Sequence, residues 1–205
     1  MGRRRDAVRQ RGASQPGIEV AQPREERIDI PGSRKFAAII DGVLAPDVAT
    51  QLFRAYAKLP YRFLDADVPG QLDILHLVHR FSAEDCQSNP LCAPLVEMAE
   101  RCLSARQLRH RGLDRAYANF NLFGDLQRAH DDGACWTVLF FLNDRWEDDW
   151  GGEVLLYPPA RSVAIAVSPR PGRVLLLDGA LRHRGGVPSK LCLLPRITLA
   201  VKFRR

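Results

Sequence analysis

The second half of the chain is built from short apolar or alternating runs, each closed by Gly, Pro or Asp. They are RAYANFNLF (115–123), CWTVLFFL (135–142), EVLLY (153–157), SVAIAVS (162–168), RVLLLDG (173–179) and ITLAVKF (197–203). Strands this short at this spacing predict an antiparallel sandwich or barrel of the jelly-roll kind. The first half reads differently. KFAAIIDGVL (35–44) predicts a short strand, and DILHLVHRF (73–81) another. APDVATQLFRAYAKLP (45–60) predicts a helix capped by Asp47, with Val48, Leu52, Phe53 and Tyr56 on one face and Pro60 at its end. LCAPLVEMAERCLSARQL (91–108) predicts a second amphipathic helix with Leu95, Met98, Cys102 and Leu103 inward. Residues 1–34 have no apolar periodicity and read as a flexible basic tail. The expected organisation is that tail followed by a single domain, 35–205, with helical support over 35–113 and a jelly-roll core over 114–205.

Side chains alternate across a strand, so parity sorts the faces. In 117–123 one face carries Tyr117, Asn119, Asn121 and Phe123, and the other Ala118, Phe120 and Leu122. In the last run Arg196, Thr198, Ala200 and Lys202 oppose Ile197, Leu199, Val201 and Phe203. One polar stripe fits a solvent face equally well. Two such stripes near a cluster of His and Asp point to a lined cavity.

Composition narrows the class. The chain has 205 residues, 46% hydrophobic and 26% charged, which suits one soluble globular domain. No apolar run approaches a membrane span, and no export signal follows the basic N-terminus, so the expected location is the cytoplasm. The five cysteines are odd in number and form no C-x-x-C pair, which argues against a disulfide framework or a cysteine-zinc site. The net charge of +6 is concentrated at the front: residues 1–35 hold nine basic and five acidic residues, the other 170 hold 21 and 19. A nearly balanced domain lacks the basic field of a nucleic-acid binder.

The candidate chemistry begins at QRAHDDGACWTVLFFLND (127–144), which sets an imidazole and two carboxylates at the mouth of an apolar strand. A desolvated carboxylate needs a compensating partner. His130 and Asp132 project to one side, Asp131 to the other. By themselves they fit a hydrogen-bonded core pair as well as a metal site. His183 lies 51 residues beyond Asp132, where LLLDGALRHRGGVP turns from an apolar strand into a Gly-rich bend. Two His and one carboxylate on a rigid barrel leave coordination positions open and suit non-heme Fe(II). Arg196, with Thr198 on its face, could hold a carboxylate bidentately, so a dicarboxylate could span metal and guanidinium. His76, His79 and His110 read as ordinary polar or half-buried residues.

The ordered set of H-x-D at 130–132, His183 and R-x-T at 196–198 resembles the Fe(II)/2-oxoglutarate-dependent oxygenase superfamily. FFLNDRWEDDWGGEVLLY and PRPGRVLLLDGALRHRGGVP are similar to segments of its prolyl-4-hydroxylase-like branch. The resemblance spans about 115–204 and extends to FAAIIDGVLAPDVATQLF at the front. It implies a mainly β fold, a double-stranded β-helix (jelly roll) with flanking helices. It implies that His130, Asp132 and His183 bind Fe(II) and that Arg196, helped by Thr198, binds 2-oxoglutarate. Tyr117 and Asn119 would add hydrogen bonds, and no catalytic side chain is implied beyond the metal centre. The implied activity is a dioxygenase that uses O2 and converts 2-oxoglutarate to succinate and CO2.

The substrate is less legible. The nucleic-acid demethylase branch ends in R-x-N-x-x-x-R, whereas RITLAVKFR has Thr198 for Asn and Lys202 for the second Arg, which argues against DNA or RNA. The domain has no long insertion to grip a polypeptide, so a small molecule is expected. Trp146, Asp148, Asp149 and Trp150 form an acidic, aromatic loop that suits a cationic ligand such as an amino sugar or an antibiotic intermediate, and equally fits a solvated surface loop. The expected outcome is hydroxylation or oxidative ring closure. A peptide or protein prolyl hydroxylase and a non-catalytic jelly-roll binding module are the alternatives. The sequence does not speak to the oligomeric state.

Overall fold

The computed structural model describes residues 23–65, 76–160 and 162–205. In chain order the elements are β1 (Arg24–Asp29), β2 (Phe36–Asp41), α1 (Pro46–Tyr56), β3 (Arg62–Asp65), β4 (His76–Phe81), α2 (Asp85–Ser88), α3 (Ala93–Ser104), β5 (Leu113–Asn121), β6 (Cys135–Phe141), β7 (Val154–Leu156), β8 (Ile165–Val167), β9 (Val174–Asp178), β10 (His183–Gly185) and β11 (Arg196–Arg204). Eight strands form one sheet in the order β1-β2-β9-β6-β11-β5-β4-β3, and three form a second in the order β10-β7-β8. A bridge between His130 and His183 adds one more extended segment beside β10. The two sheets face each other as a jelly roll, the double-stranded β-helix that the motifs imply.

Strand parity produces two apolar clusters, one on each face of the large sheet. Ala118, Val138, Phe140, Leu176, Leu199 and Val201 pack against Tyr56 of α1 and Leu95, Val96, Ala99 and Leu103 of α3. Ile39, Phe141, Leu175 and Leu177 point the other way, onto Val154, Leu156 and Val167 of the small sheet. Strand β9 is buried along its whole length, because sheet neighbours flank it and layers cover both faces. On the inner face of β5 and β11 the apolar filling stops. Asn121 lies opposite Arg196, Asn119 opposite Thr198 and Tyr117 opposite Ala200, so the two polar stripes meet across the ladder.

Several sequence expectations are corrected. The flexible tail was expected to reach residue 34, but Arg24–Asp29 is a strand in full antiparallel register with β2; residues 1–22 lie outside the described residues. The front of the chain contributes four strands besides its helices. Helix α1 is not capped by Asp47: Ala45 is the cap, Pro46 opens the first turn, and Asp47 sits inside it, where a carboxylate favours the helix dipole. Val48 is exposed, and Ala49 takes its place facing the core. Strand β5 ends at Asn121, so Leu122 and Phe123 are exposed and belong to neither stripe. The start of the run expected at 73–81 lies outside the described residues. Among the described residues no helix is long and apolar enough to cross a membrane.

One ion pair fastens the turn between β8 and β9 to the end of β2. Arg173 donates from Nε and Nη2 to the two oxygens of Asp41, each at 2.7 Å, and from Nη1 to the carbonyl of Ser168 at 2.9 Å. The hydrogen bond and charge of Arg173, partly opposed by burial, hold the Asp41 carboxyl below its ordinary range. A depressed carboxylate stabilises the fold above its unfolded pKa, and that contribution disappears as pH falls through the folded value. Asp41→Asn is therefore expected to cost about 1 kcal/mol at neutral pH, discounted for partial exposure. In urea melts, the stability difference from wild type should close below about pH 4.

Candidate metal centre

Backbone pairing builds the centre. His130 and His183 exchange both amide bonds, at 2.9 and 2.8 Å, so their side chains leave the ladder on one face. The rings lie 4.7 Å apart between centroids. The chain then passes over the end of β9: the Asp132 amide donates to the Gly179 carbonyl at 2.6 Å, and the Gly179 amide to that of Cys135 at 2.8 Å. A Cβ at residue 179 would stand 2.4 Å from the Cys135 sulfur and 2.7 Å from its carbonyl oxygen. Only glycine permits that crossing, and the crossing is what delivers Asp132 to the two imidazoles.

The hydrogen bonds fix the tautomers. Nδ1 of His130 faces the Arg128 carbonyl at 3.0 Å, and Nδ1 of His183 faces the Leu181 carbonyl at 2.8 Å. A carbonyl only accepts, so each Nδ1 carries a proton and each Nε2 is the ring atom left to face a metal. Those Nε2 atoms lie 3.7 and 3.6 Å from Oδ1 and Oδ2 of Asp132, and the three donor atoms all fall within 4.8 Å of one another. Two imidazoles and a carboxylate converging in this way could hold a divalent first-row metal. Burial pushes the Asp132 carboxyl up, but Lys202, His183 and Thr137 outweigh it, so the group lies below its ordinary value. His183 is shifted down, chiefly by burial, which keeps its ring neutral and able to ligate.

Arg196 occupies the other end of the inner face and is 2% exposed. Its Nε donates to the Gly152 carbonyl at 2.7 Å, and Nη1 approaches Asn121 Oδ1 at 3.5 Å. Nη2 is buried without a partner, as is the side-chain amide nitrogen of Asn121. Burial lowers the guanidinium to about 10, so it remains a cation at neutral pH. A buried cation with an unused donor is a receptor for a carboxylate. Thr198 is fully buried beside it and lies 3.5 Å from Asn119 Nδ2, while Asn119 Oδ1 meets His76 Nε2 at 3.2 Å. Ala200, a small side chain, lies between Thr198 and Lys202 on this face.

Sequence reasoning missed four residues of this inner surface. Thr137 bonds Asp132 Oδ2 at 2.7 Å, and Lys202 bonds Oδ1. Asn121 was on the polar stripe but had no role, and His76 was set aside as ordinary. Parity pointed to Asn121 and Lys202; only the fold brings His76 to Asn119.

The acidic loop lies elsewhere. It follows the Phe141 end of β6, whereas Asp132 adjoins the Cys135 end. Trp146 donates from its indole to the Gly151 carbonyl at 2.9 Å and stacks edge-on to Trp150 at 5.6 Å. Its ring covers Gly152, the residue whose carbonyl holds Arg196. Asp148 and Asp149 are exposed, with Arg170 4.0 Å from Asp148. The structure thus brings together His130, Asp132 and His183, and sets Arg196, Thr198, Asn119 and Tyr117 along one face. It places Trp146 behind Arg196 and does not bring Asp148 or Asp149 to the triad.

Comparison with known proteins agrees with this geometry. Residues 110–204 match the model of the 2OG-Fe(II) oxygenase superfamily. No curated protein matches the chain by sequence. Among solved structures, a Pseudomonas putida prolyl-4-hydroxylase superposes with a TM-score of 0.59 at 19% identity, covering 91% of this chain and 95% of that one. A prolyl hydroxylase from Trichoplax adhaerens, in complex with a hypoxia inducible factor peptide, gives 0.61 at 16%, covering 82% and 83%. The carbocyclase SnoK from nogalamycin biosynthesis, a non-heme alpha-ketoglutarate-dependent enzyme, gives 0.60 at 16%, covering 82% and 79%. At these identities the superpositions speak to the fold alone. The superfamily whose model residues 110–204 match uses Fe(II), 2-oxoglutarate and O2.

Gly152 has φ +80°, and a Cβ there would meet Trp146 at 2.9 Å and Arg196 at 3.0 Å. Gly152→Ala is expected to destabilise the protein by about 1–3 kcal/mol, measured by urea denaturation, because it forces both a strained backbone and a displaced guanidinium.

Proposed function

We propose that this chain couples the decarboxylation of 2-oxoglutarate to oxidation of a C–H bond in a small polar molecule. The observation that carries the reading is the convergence of His130 Nε2, His183 Nε2 and the Asp132 carboxylate, each held by its own hydrogen bonds. These three residues would hold Fe(II). Arg196 would pair its unused Nη2 with the distal carboxylate of 2-oxoglutarate, with Thr198 beside it and Tyr117 and Asn119 along the wall. When bound, the metal and co-substrate supply the oxidising power: O2, 2-oxoglutarate and R–H give succinate, CO2 and R–OH, or a ring-closed product with water. The chain's own work is to fix the donors, bind the dicarboxylate in one direction and exclude water behind two apolar clusters.

For the substrate we favour a small molecule of the kind tailored in antibiotic biosynthesis, in line with the nogalamycin enzymes among the structural neighbours. A cationic amino sugar rests on Asp148 and Asp149, and their exposed place away from the triad gives that choice no support. A second reading, peptide prolyl hydroxylation, is favoured by the prolyl hydroxylases among the same neighbours.

Protein supplied with Fe(II), ascorbate and 2-oxoglutarate is expected to release succinate slowly, and faster with the true substrate. His130→Ala and Asp132→Ala should lower this release at least about a hundredfold. Arg196→Ala should raise the KM for 2-oxoglutarate by roughly ten- to a hundredfold, with a smaller change in kcat. Sugars, amino acids and proline-containing peptides that stimulate release separate the two substrate readings. Complete absence of succinate in every condition would leave a binding module.

A further inference from the structure

Lys202 has no part in the chemistry assigned above, yet it stands beside the central carboxylate. It lies on the inner face of β11, in the middle of the sheet, and is 3% exposed. Its Nζ donates to Asp132 Oδ1 and lies 5.3 Å from the centroid of the Tyr117 ring. The Asp132 side chain is 3% exposed, and its second oxygen accepts from Thr137. Lys202 is paired with Arg115 of β5 and Thr137 of β6, so sheet neighbours flank its backbone on both sides, and the β5 register shifts just after it. Two buried opposite charges in contact depend on each other, since removing either leaves the other uncompensated.

We propose that Lys202 is an internal counter-ion that neutralises Asp132 in the metal-free protein and competes with the metal for that carboxylate. The proposal rests on the assignment of His130, Asp132 and His183 as the metal ligands. Without Lys202 the donor set has a net negative charge. With it the set is formally neutral, and an arriving divalent ion meets an ammonium already seated on the carboxylate. Lys202 therefore acts in opposite directions in the two states: it stabilises the empty fold and weakens metal binding. A lysine that served packing alone would weaken both states when removed. Lys202 is thus a positioning residue that sets how readily the site loads and empties.

The test compares wild type, Lys202→Met, Lys202→Arg and Thr137→Val, with Co(II) as an air-stable probe. Affinity is read by calorimetry and by the visible cobalt bands, and stability by thermal melting with and without the ion. Lys202→Met is expected to bind Co(II) roughly ten- to a hundredfold more tightly, the scale on which one adjacent charge shifts a carboxylate equilibrium. Its metal-free form should melt lower than wild type, and its rise in Tm on adding Co(II) should be larger. Lys202→Arg should keep the wild-type affinity within a fewfold. Thr137→Val should lower metal-free stability without tightening the site. Unchanged or weaker Co(II) binding by folded Lys202→Met overturns the proposal. If that variant folds only with metal, chelator competition decides: slower surrender of Co(II) than wild type supports the proposal, faster surrender overturns it. Wild type that ignores Co(II), or binds it equally well after His183→Ala, overturns the metal assignment and this inference together. Triad-dependent binding that Lys202→Met leaves unaltered sinks only the counter-ion.

Discussion

A carboxylate almost sealed from water, between two imidazoles, is the constraint around which this molecule is arranged. Asp132 is tolerable at 3% exposure only because every direction around it is answered. Thr137 and Lys202 take its oxygens, Gly179 takes its amide, and two imidazole rings face it. Each partner comes from a different strand or strand end, and only the closed pair of sheets can bring them together. The fold is in this sense the second coordination layer of the site. It also explains the apolar investment on both sides: without those two clusters the strands would not hold register closely enough to keep donor atoms within hydrogen-bond tolerance.

The two ends of β11 divide the labour. Near its start a guanidinium keeps one donor unused, and near its finish an ammonium is fully engaged. Both are buried cations on one face of one strand, and a small alanine lies between them. The first is arranged to receive an anion from outside, the second has its anion built in. That asymmetry gives the inner face a direction, with an unused guanidinium donor at one end and the cluster of His130, Asp132 and His183 at the other.

Much of this was legible in the linear sequence, for physical reasons. Period-two alternation at 117–121 and 196–203 assigned faces, because a half-buried strand must alternate. His130, Asp132, His183 and Arg196 stood out because polar groups at the mouths of apolar strands need a reason to be there. Strand β1 escaped notice because REERID, an edge strand with both faces near solvent, has no reason to alternate. Asp47 misled because the residue that could cap a helix is one step inside it, after Ala45 and Pro46. The acidic loop misled differently: composition named a chemistry, but the loop's position at the Arg196 end makes Trp146 a lid on Gly152. The bond from Lys202 to Asp132 joins residues seventy apart, and nothing local records it.

The charged edge strand has a consequence of its own. Among the described residues the large sheet ends on one side at β1, whose outer edge pairs with no further strand. Five of its six residues are Arg, Glu or Asp, with both signs present. An incoming strand would have to desolvate that row and match its signs, which discourages the stacking of sheet upon sheet between molecules. Directly behind it runs β2, whose apolar FAAIID would be an adhesive border if it were uncovered. The segment whose composition suggested a tail is what makes the margin of this sheet safe against aggregation.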